Sequence, residues 1–78
     1  MSDRLIALFS DGLGVPVAQL SDQTSPDNTP QWDSLAAVTL VSLIESTYDV
    51  TLKSRDIMRM RTIGLARATL RDKGIDPG

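Results

Sequence analysis

Leu5, Ile6, Leu8, Phe9 and Leu13 recur at the three-and-four spacing of one helix face. The spacing predicts a first helix over residues 3–13, with Ser2 as its N-cap and with Gly12 and Gly14 marking its stop. The next apolar stripe starts much later. At about 100° per residue, Ala37, Leu40, Val41, Ile44 and Tyr48 share a face, which predicts a second helix over residues 34–48. Its opposite arc carries Leu35, Val38, Thr39, Ser42, Glu45 and Ser46, so two aliphatics sit on an otherwise polar side. Between the helices, residues 14–33 hold Pro16, Pro26 and Pro30 among many Ser, Thr, Asp and Asn residues. That composition reads as a long connection, with Val17 and Leu20 expected to pin it to the core. Pro30 disfavours helical geometry at Thr29, so the connection ends just before Ser34. Loops this long in so small a chain are uncommon and often functional.

The second half is more broken. Val50-Thr51-Leu52 favours extended backbone but is too short to argue a sheet. Ser54 is expected to cap a brief helix over about 54–60, with Ile57 and Met60 turned inward. Thr62 is expected to cap a last helix over about 62–73, with Ile63, Ala66 and Leu70 on its inner face, ended by Gly74 and Pro77. The expected fold class is all-α, a small four-helix bundle of three main helices plus one short third helix, forming a single domain over 1–78.

Composition narrows the chemistry. The chain of 78 residues has no Cys and no His. It therefore has no disulfide framework, no thiolate or imidazole metal ligand, and no self-contained Ser-His-Asp triad. Carboxylate pairs such as Asp27 and Asp33 could do acid–base work, but nothing in their spacing places them around a cleft. No catalytic residue and no metal site is expected. Residues 1–52 carry seven acids and one base, whereas residues 53–78 carry seven bases and three acids. The bases of the second half alternate with apolar residues at helical spacing and aromatics are nearly absent, which argues against nucleic acid as a partner. No apolar run is long enough to span a bilayer, and the N-terminus lacks the basic start and cleavage site of a secretory signal. The expected compartment is the cytoplasm, with no membrane partner.

Ser34 is the residue with unexplained chemical promise. It lies in Trp32-Asp33-Ser34-Leu35, at the start of the second helix, where free backbone N–H groups and the positive end of the helix dipole favour a phosphate. With no base to activate it, Ser34 reads as a place where chemistry is done to the chain and not by it. A plain N-cap is the bland reading of Ser34, and Asp33 could equally be that cap. Trp32 reads as a core plug at the loop–helix junction, with an exposed ring beside a partner as the alternative.

The block from Trp32 onward resembles the acyl/peptidyl carrier protein family. The resemblance runs from Asp33-Ser34-Leu35 through Val38–Tyr48, Val50-Thr51-Leu52, the short third helix and Met60-Arg61-Thr62-Ile63. It implies that a phosphopantetheinyl transferase moves 4′-phosphopantetheine from coenzyme A onto Ser34 Oγ. The thiol of that arm then carries an acyl or aminoacyl group as a thioester. The implied partners are the transferase, an acyl- or aminoacyl-loading enzyme and a downstream synthase or acyltransferase. The same resemblance implies that Asp33 helps the transferase and its magnesium recognise the serine, and that Leu35 and Val38 contact partners. Two departures stand out. Glu45 is the only Glu, where fatty-acid carriers have several acids along this helix, and Arg55, Arg59 and Arg61 make the third helix basic. Glu45 is expected to take part in partner recognition, and Arg55, Arg59 and Arg61 read either as solvated surface or as charge that steers the chain toward a dedicated partner with an acidic rim. The expectation is a free-standing, monomeric carrier in a specialised pathway: polyketide, modified fatty acid, non-ribosomal peptide or cell-surface acylation. Ala36, Ala37, Leu43 and Ile44 read equally as core packing or as the lining of an acyl cavity. The competing reading is a small non-catalytic helical adaptor that binds a protein through helix two.

Overall fold

A computed structural model describes residues 3–78, so Ser2, the expected first cap, lies outside the described residues. The described residues form four α-helices: α1 (Arg4–Leu13), α2 (Ser34–Tyr48), α3 (Ser54–Arg59) and α4 (Ile63–Asp72). The described residues contain no strand, Val50-Thr51-Leu52 included. The architecture is an all-helical, carrier-like bundle in which α1 packs on α2 and α4, and α3 packs on α4.

Each helix end has a local cause. Asp3 caps α1, its Oδ1 accepting the Leu5 and Ile6 N–H groups at 3.1 and 3.2 Å. Gly14 ends α1 in the left-handed region at φ 68°, a conformation that costs glycine little. Gly12 does not mark a stop. It lies inside α1, and a Cβ there would fall 2.7 Å from Leu40 Cδ2, so its missing side chain lets α1 and α2 approach closely. Asp49 ends α2 at φ 51°. Ser54 is not a cap but the first residue of α3. The preceding Lys53 takes the cap position, and Asp56 Oδ2 accepts its N–H at 3.0 Å. Thr62 caps α4 by accepting the Leu65 N–H at 3.0 Å.

The core follows the apolar stripes. Leu5 and Phe9 of α1, Leu40 and Ile44 of α2, and Ile63, Ala66 and Leu70 of α4 are sealed from solvent. Met60 is buried just past α3, whereas Ile57 is 39% exposed and only partly inward. A six-residue helix has little room to bury two turns, and α3 lies on the bundle as a flap. Tyr48 is half-buried, and its hydroxyl donates to the Pro77 carbonyl at 2.6 Å, drawing the last residues across α2. Burial pushes the Tyr48 phenol above its ordinary pKa.

The long connection is not slack. It contains one tight helical turn at Val17–Gln19, yet Val17 itself is exposed. Val15, Thr24 and Trp32 are the buried residues that pin the loop, with Leu20 packed partly against the core. Val17 falls on the outside because the turn after Pro16 rotates it away. The first N–H groups of α4 have no partner within their own helix. The loop supplies it: Ile63 N–H donates to the Thr24 carbonyl at 3.1 Å and Gly64 N–H to the Asp22 carbonyl at 2.9 Å. Arg67 completes the clasp, with its guanidinium on Asp3 at 2.7 Å and Asp22 at 2.9 Å. Partial burial pushes the Asp3 carboxyl up. The Arg67 guanidinium and the Ile6 and Leu5 N–H groups outweigh that push and hold it below its ordinary value.

Candidate functional site

The clasp fixes where the connection ends. From Thr24 it runs through turns closed by Asn28 N–H on the Ser25 carbonyl (3.2 Å) and Trp32 N–H on the Thr29 carbonyl (3.0 Å). Asn28 reinforces the first, donating through Nδ2 to the Gln23 carbonyl at 2.9 Å. Trp32 then buries its ring against Phe9, with centroids 5.3 Å apart and planes tilted by 58°. The indole anchors the chain one residue before the cap of α2.

Asp33, not Ser34, is that cap. Its Oδ1 accepts the Ala36 N–H at 2.9 Å, and its carbonyl accepts the Ala37 N–H at 2.9 Å. Ser34 is the first residue of the helix, exposed, and its Oγ makes no hydrogen bond among the described residues. The N–H groups of Ser34 and Leu35 likewise have no partner there. Of the two capping readings open in the sequence, the one that would occupy the Ser34 hydroxyl is removed. An open groove of about 290 Å³ runs beside it, lined by Pro26, Trp32, Asp33, Ser34 and Ala37.

The other expected site residues divide into two groups. Leu35 and Val38 follow Ser34 on the outer side of α2, 80% and 66% exposed, and Met58 of α3 adds a third outward side chain at 75%. Val38 and Ile57 flank a second groove of about 270 Å³ between α2 and α3. Glu45 has a different position. It is half-buried, and its Oε2 accepts the Leu52 N–H at 2.8 Å, so its carboxylate ties α2 to the chain leading into α3. Arg59 is bound to Asp72 of α4 at 2.6 Å, whereas Arg55 is exposed and meets no carboxylate among the described residues. The exposed arc of α2 therefore offers aliphatic and hydroxyl groups but no uncommitted charge beyond Asp33 at its head.

A family model for the phosphopantetheine attachment site matches residues 3–70, nearly the whole chain. The chain belongs to that family. It is a carrier protein, whose prosthetic group is covalently attached 4′-phosphopantetheine and whose cargo rides as a thioester. Carrier domains of this kind meet a phosphopantetheinyl transferase and partner synthases. The head of α2 fits the group. A carrier needs an accessible hydroxyl on a rigid base, with donors nearby for a phosphodiester, and the head of α2 provides all three.

Of the residues lining the groove beside Ser34, Pro26 was missed in the sequence, and Ala37 was read there only as core packing or as cavity lining. Ala37 stands three residues after Ser34, a spacing that makes helix neighbours, so its position was available from the numbering alone. Pro26 carried no such signal, because the loop fold brings it there. Among the described residues no cluster of three or more potential metal ligands exists. No helix of the described residues is long and apolar enough to cross a membrane.

Proposed function

We propose that Ser34 is the attachment residue and that the chain delivers acyl or aminoacyl intermediates within a specialised biosynthetic pathway. The observation that carries this reading is the exposed Ser34 hydroxyl, left without a hydrogen bond while Asp33 does the capping. The Ser34 Oγ–P bond forms as coenzyme A's pyrophosphate linkage breaks and its nucleotide leaves. The hydroxyl proton goes to a base on the transferase, because this chain has no His and no Cys and does no catalysis of its own. The N–H groups of Ser34 and Leu35 and the dipole of a fifteen-residue helix favour the new phosphodiester charge. Once attached, the arm's terminal thiol holds the cargo as a thioester. The flexible tether keeps it at high effective concentration near each enzyme that docks.

Docking falls to Leu35, Val38 and Met58, which give an apolar contact without competing ion pairs. Asp33 stands beside the reacting oxygen, where the transferase and its magnesium meet the serine. Arg55 supplies steering charge toward a partner with an acidic rim, and Arg59 joins it where Asp72 releases it. Glu45 acts on recognition indirectly, by holding the turn from α2 into α3. This charge pattern, apolar on α2 and basic on α3, supports a dedicated synthase or acyltransferase over a general fatty-acid system.

The reading is tested by incubating the purified chain with coenzyme A, magnesium and a broad-specificity phosphopantetheinyl transferase. Intact mass should rise by one phosphopantetheine, and the gain should vanish in Ser34→Ala. A folded protein that gains nothing would point instead to the helical adaptor.

A further inference from the structure

Residues 25–31, the stretch that leads into Trp32 and α2, contain no buried side chain. Among the described residues their hydrogen bonds stay within the connection, as in Ser25 N–H on Asn28 Oδ1 at 3.0 Å and Asn28 Nδ2 on the Gln23 carbonyl at 2.9 Å. The stretch is therefore moored to the bundle at its two ends. At one end Trp32 packs on Phe9. At the other, buried Thr24 gives its carbonyl to the Ile63 N–H.

The second mooring belongs to α4. A Cβ at Gly64 would fall 3.1 Å from the Asp22 carbonyl oxygen, so glycine lets the loop backbone lie on the first turn of that helix. One turn on, the Arg67 side chain is only 12% exposed and forks between two acids. Nη2 donates to Asp3 Oδ2 at 2.7 Å and to Asp22 Oδ1 at 2.9 Å, and Nη1 donates to Asp3 Oδ1 at 3.3 Å. One side chain thus ties the cap of α1, the loop and α4 together. Pro26, two residues beyond Thr24, lines the same groove as Asp33 and Ser34. The groove is held in two ways: Asp33 and Ser34 by the helix and the indole, Pro26 through the clasp. An enzyme that acts on the Ser34 hydroxyl must cover both walls.

We infer that Arg67 is a positioning residue for modification at Ser34: its hold on Asp22 and Asp3 sets the Pro26 wall against which an incoming transferase seats. The inference rests on attachment at Ser34. The hydroxyl does not depend on the clasp, so binding changes and chemistry does not. Steady-state transfer from coenzyme A by a broad-specificity transferase with magnesium, on the full chain, tests it. A wall correctly placed for only part of the time raises the apparent KM by the reciprocal of that fraction, about three- to tenfold in Arg67→Met and in Asp22→Ala, with kcat unchanged. The double variant should rise no further than Arg67→Met, because both changes cut one link. Arg67→Lys, which keeps the charge without the fork, should recover part of the KM. The Asn28 amide should exchange faster with solvent in Asp22→Ala while the Ile44 amide stays protected. Gly12→Val, destabilised at the α1–α2 crossing, should keep the unaltered KM. An equal KM rise in folded Gly12→Val would overturn the inference, as would an unchanged KM in folded Asp22→Ala. If Arg67→Met does not fold, Asp22→Ala decides, because its side chain is exposed and makes the loop link alone. An unaltered chain that takes up no phosphopantetheine would overturn the attachment itself, and this inference with it.

Discussion

The two sides of α2 have opposite characters. Inward, Leu40 and Ile44 are sealed in the core, on the helix that packs against α1. Outward, Leu35 and Val38 stand in solvent beside a serine hydroxyl with no hydrogen-bond partner. The inner side gains its free energy on folding, and the outer side can gain its free energy only by meeting another molecule. The difference teaches how one helix can do two things: one side makes a rigid base, and the other is left exposed for contact with another molecule. Substitutions on α2 should therefore separate cleanly into those that change stability and those that change modification and transfer.

The sharpest break should come from Ile44→Ala. Deleting a fully buried aliphatic should cost about 2–5 kcal/mol in denaturant unfolding, while the folded fraction is still modified at Ser34. Gly12→Val should cost about 1–3 kcal/mol, because the added atoms meet Leu40 at the α1–α2 crossing. A normal melting curve for this variant would mean that the two helices do not cross so closely.

Arg67→Met should cost roughly 1–2 kcal/mol at neutral pH, a figure reduced for the exposure of the carboxylates it holds. The cost should depend on pH with a definite sign. The folded Asp3 carboxyl titrates below its ordinary value near 3.8, so the unfolded chain takes up that proton first as pH falls. The stabilisation is full above that ordinary value and is lost as pH drops through the lower, folded one. Urea titrations of both proteins should converge in acid and separate again by neutrality. Asp33→Ala should cost about 1 kcal/mol through loss of the cap. It should also slow phosphopantetheine transfer, the one case on α2 where both sides of the comparison are affected together. Val38→Ser should leave stability within about 0.5 kcal/mol and show itself only as slower transfer to an enzyme partner.

Much of this contrast was legible in the sequence, because it rests on local periodicity. The stripe Leu40, Val41, Ile44 and the outward Leu35 and Val38 follow from helix phase. The tetrapeptide Trp32–Leu35 marked the candidate site because a loop, an anchor, a cap and a hydroxyl are consecutive there. What was not legible depends on residues far apart in the chain. Arg67 reaches Asp3 and Asp22 across 64 and 45 positions, and no local pattern encodes that clasp. Gly12 reads as a helix stop by composition, and only the crossing of α1 and α2 makes it a packing residue. Glu45 reads as surface charge by helix phase, yet the return of the chain at Leu52 brings it a backbone donor. Lys53 has no capping chemistry in its side chain, so the start of α3 depends on Asp56 reaching back.

The most direct measurement uses the comparison between two serines that each open a helix, Ser34 of α2 and Ser54 of α3. Protein made in cells alongside an active phosphopantetheinyl transferase is digested, and the modified peptide is sequenced by tandem mass spectrometry. The account predicts a single phosphopantetheine on Ser34 and none on Ser54. A bare Ser34 peptide, or an adduct on any other residue, would contradict it.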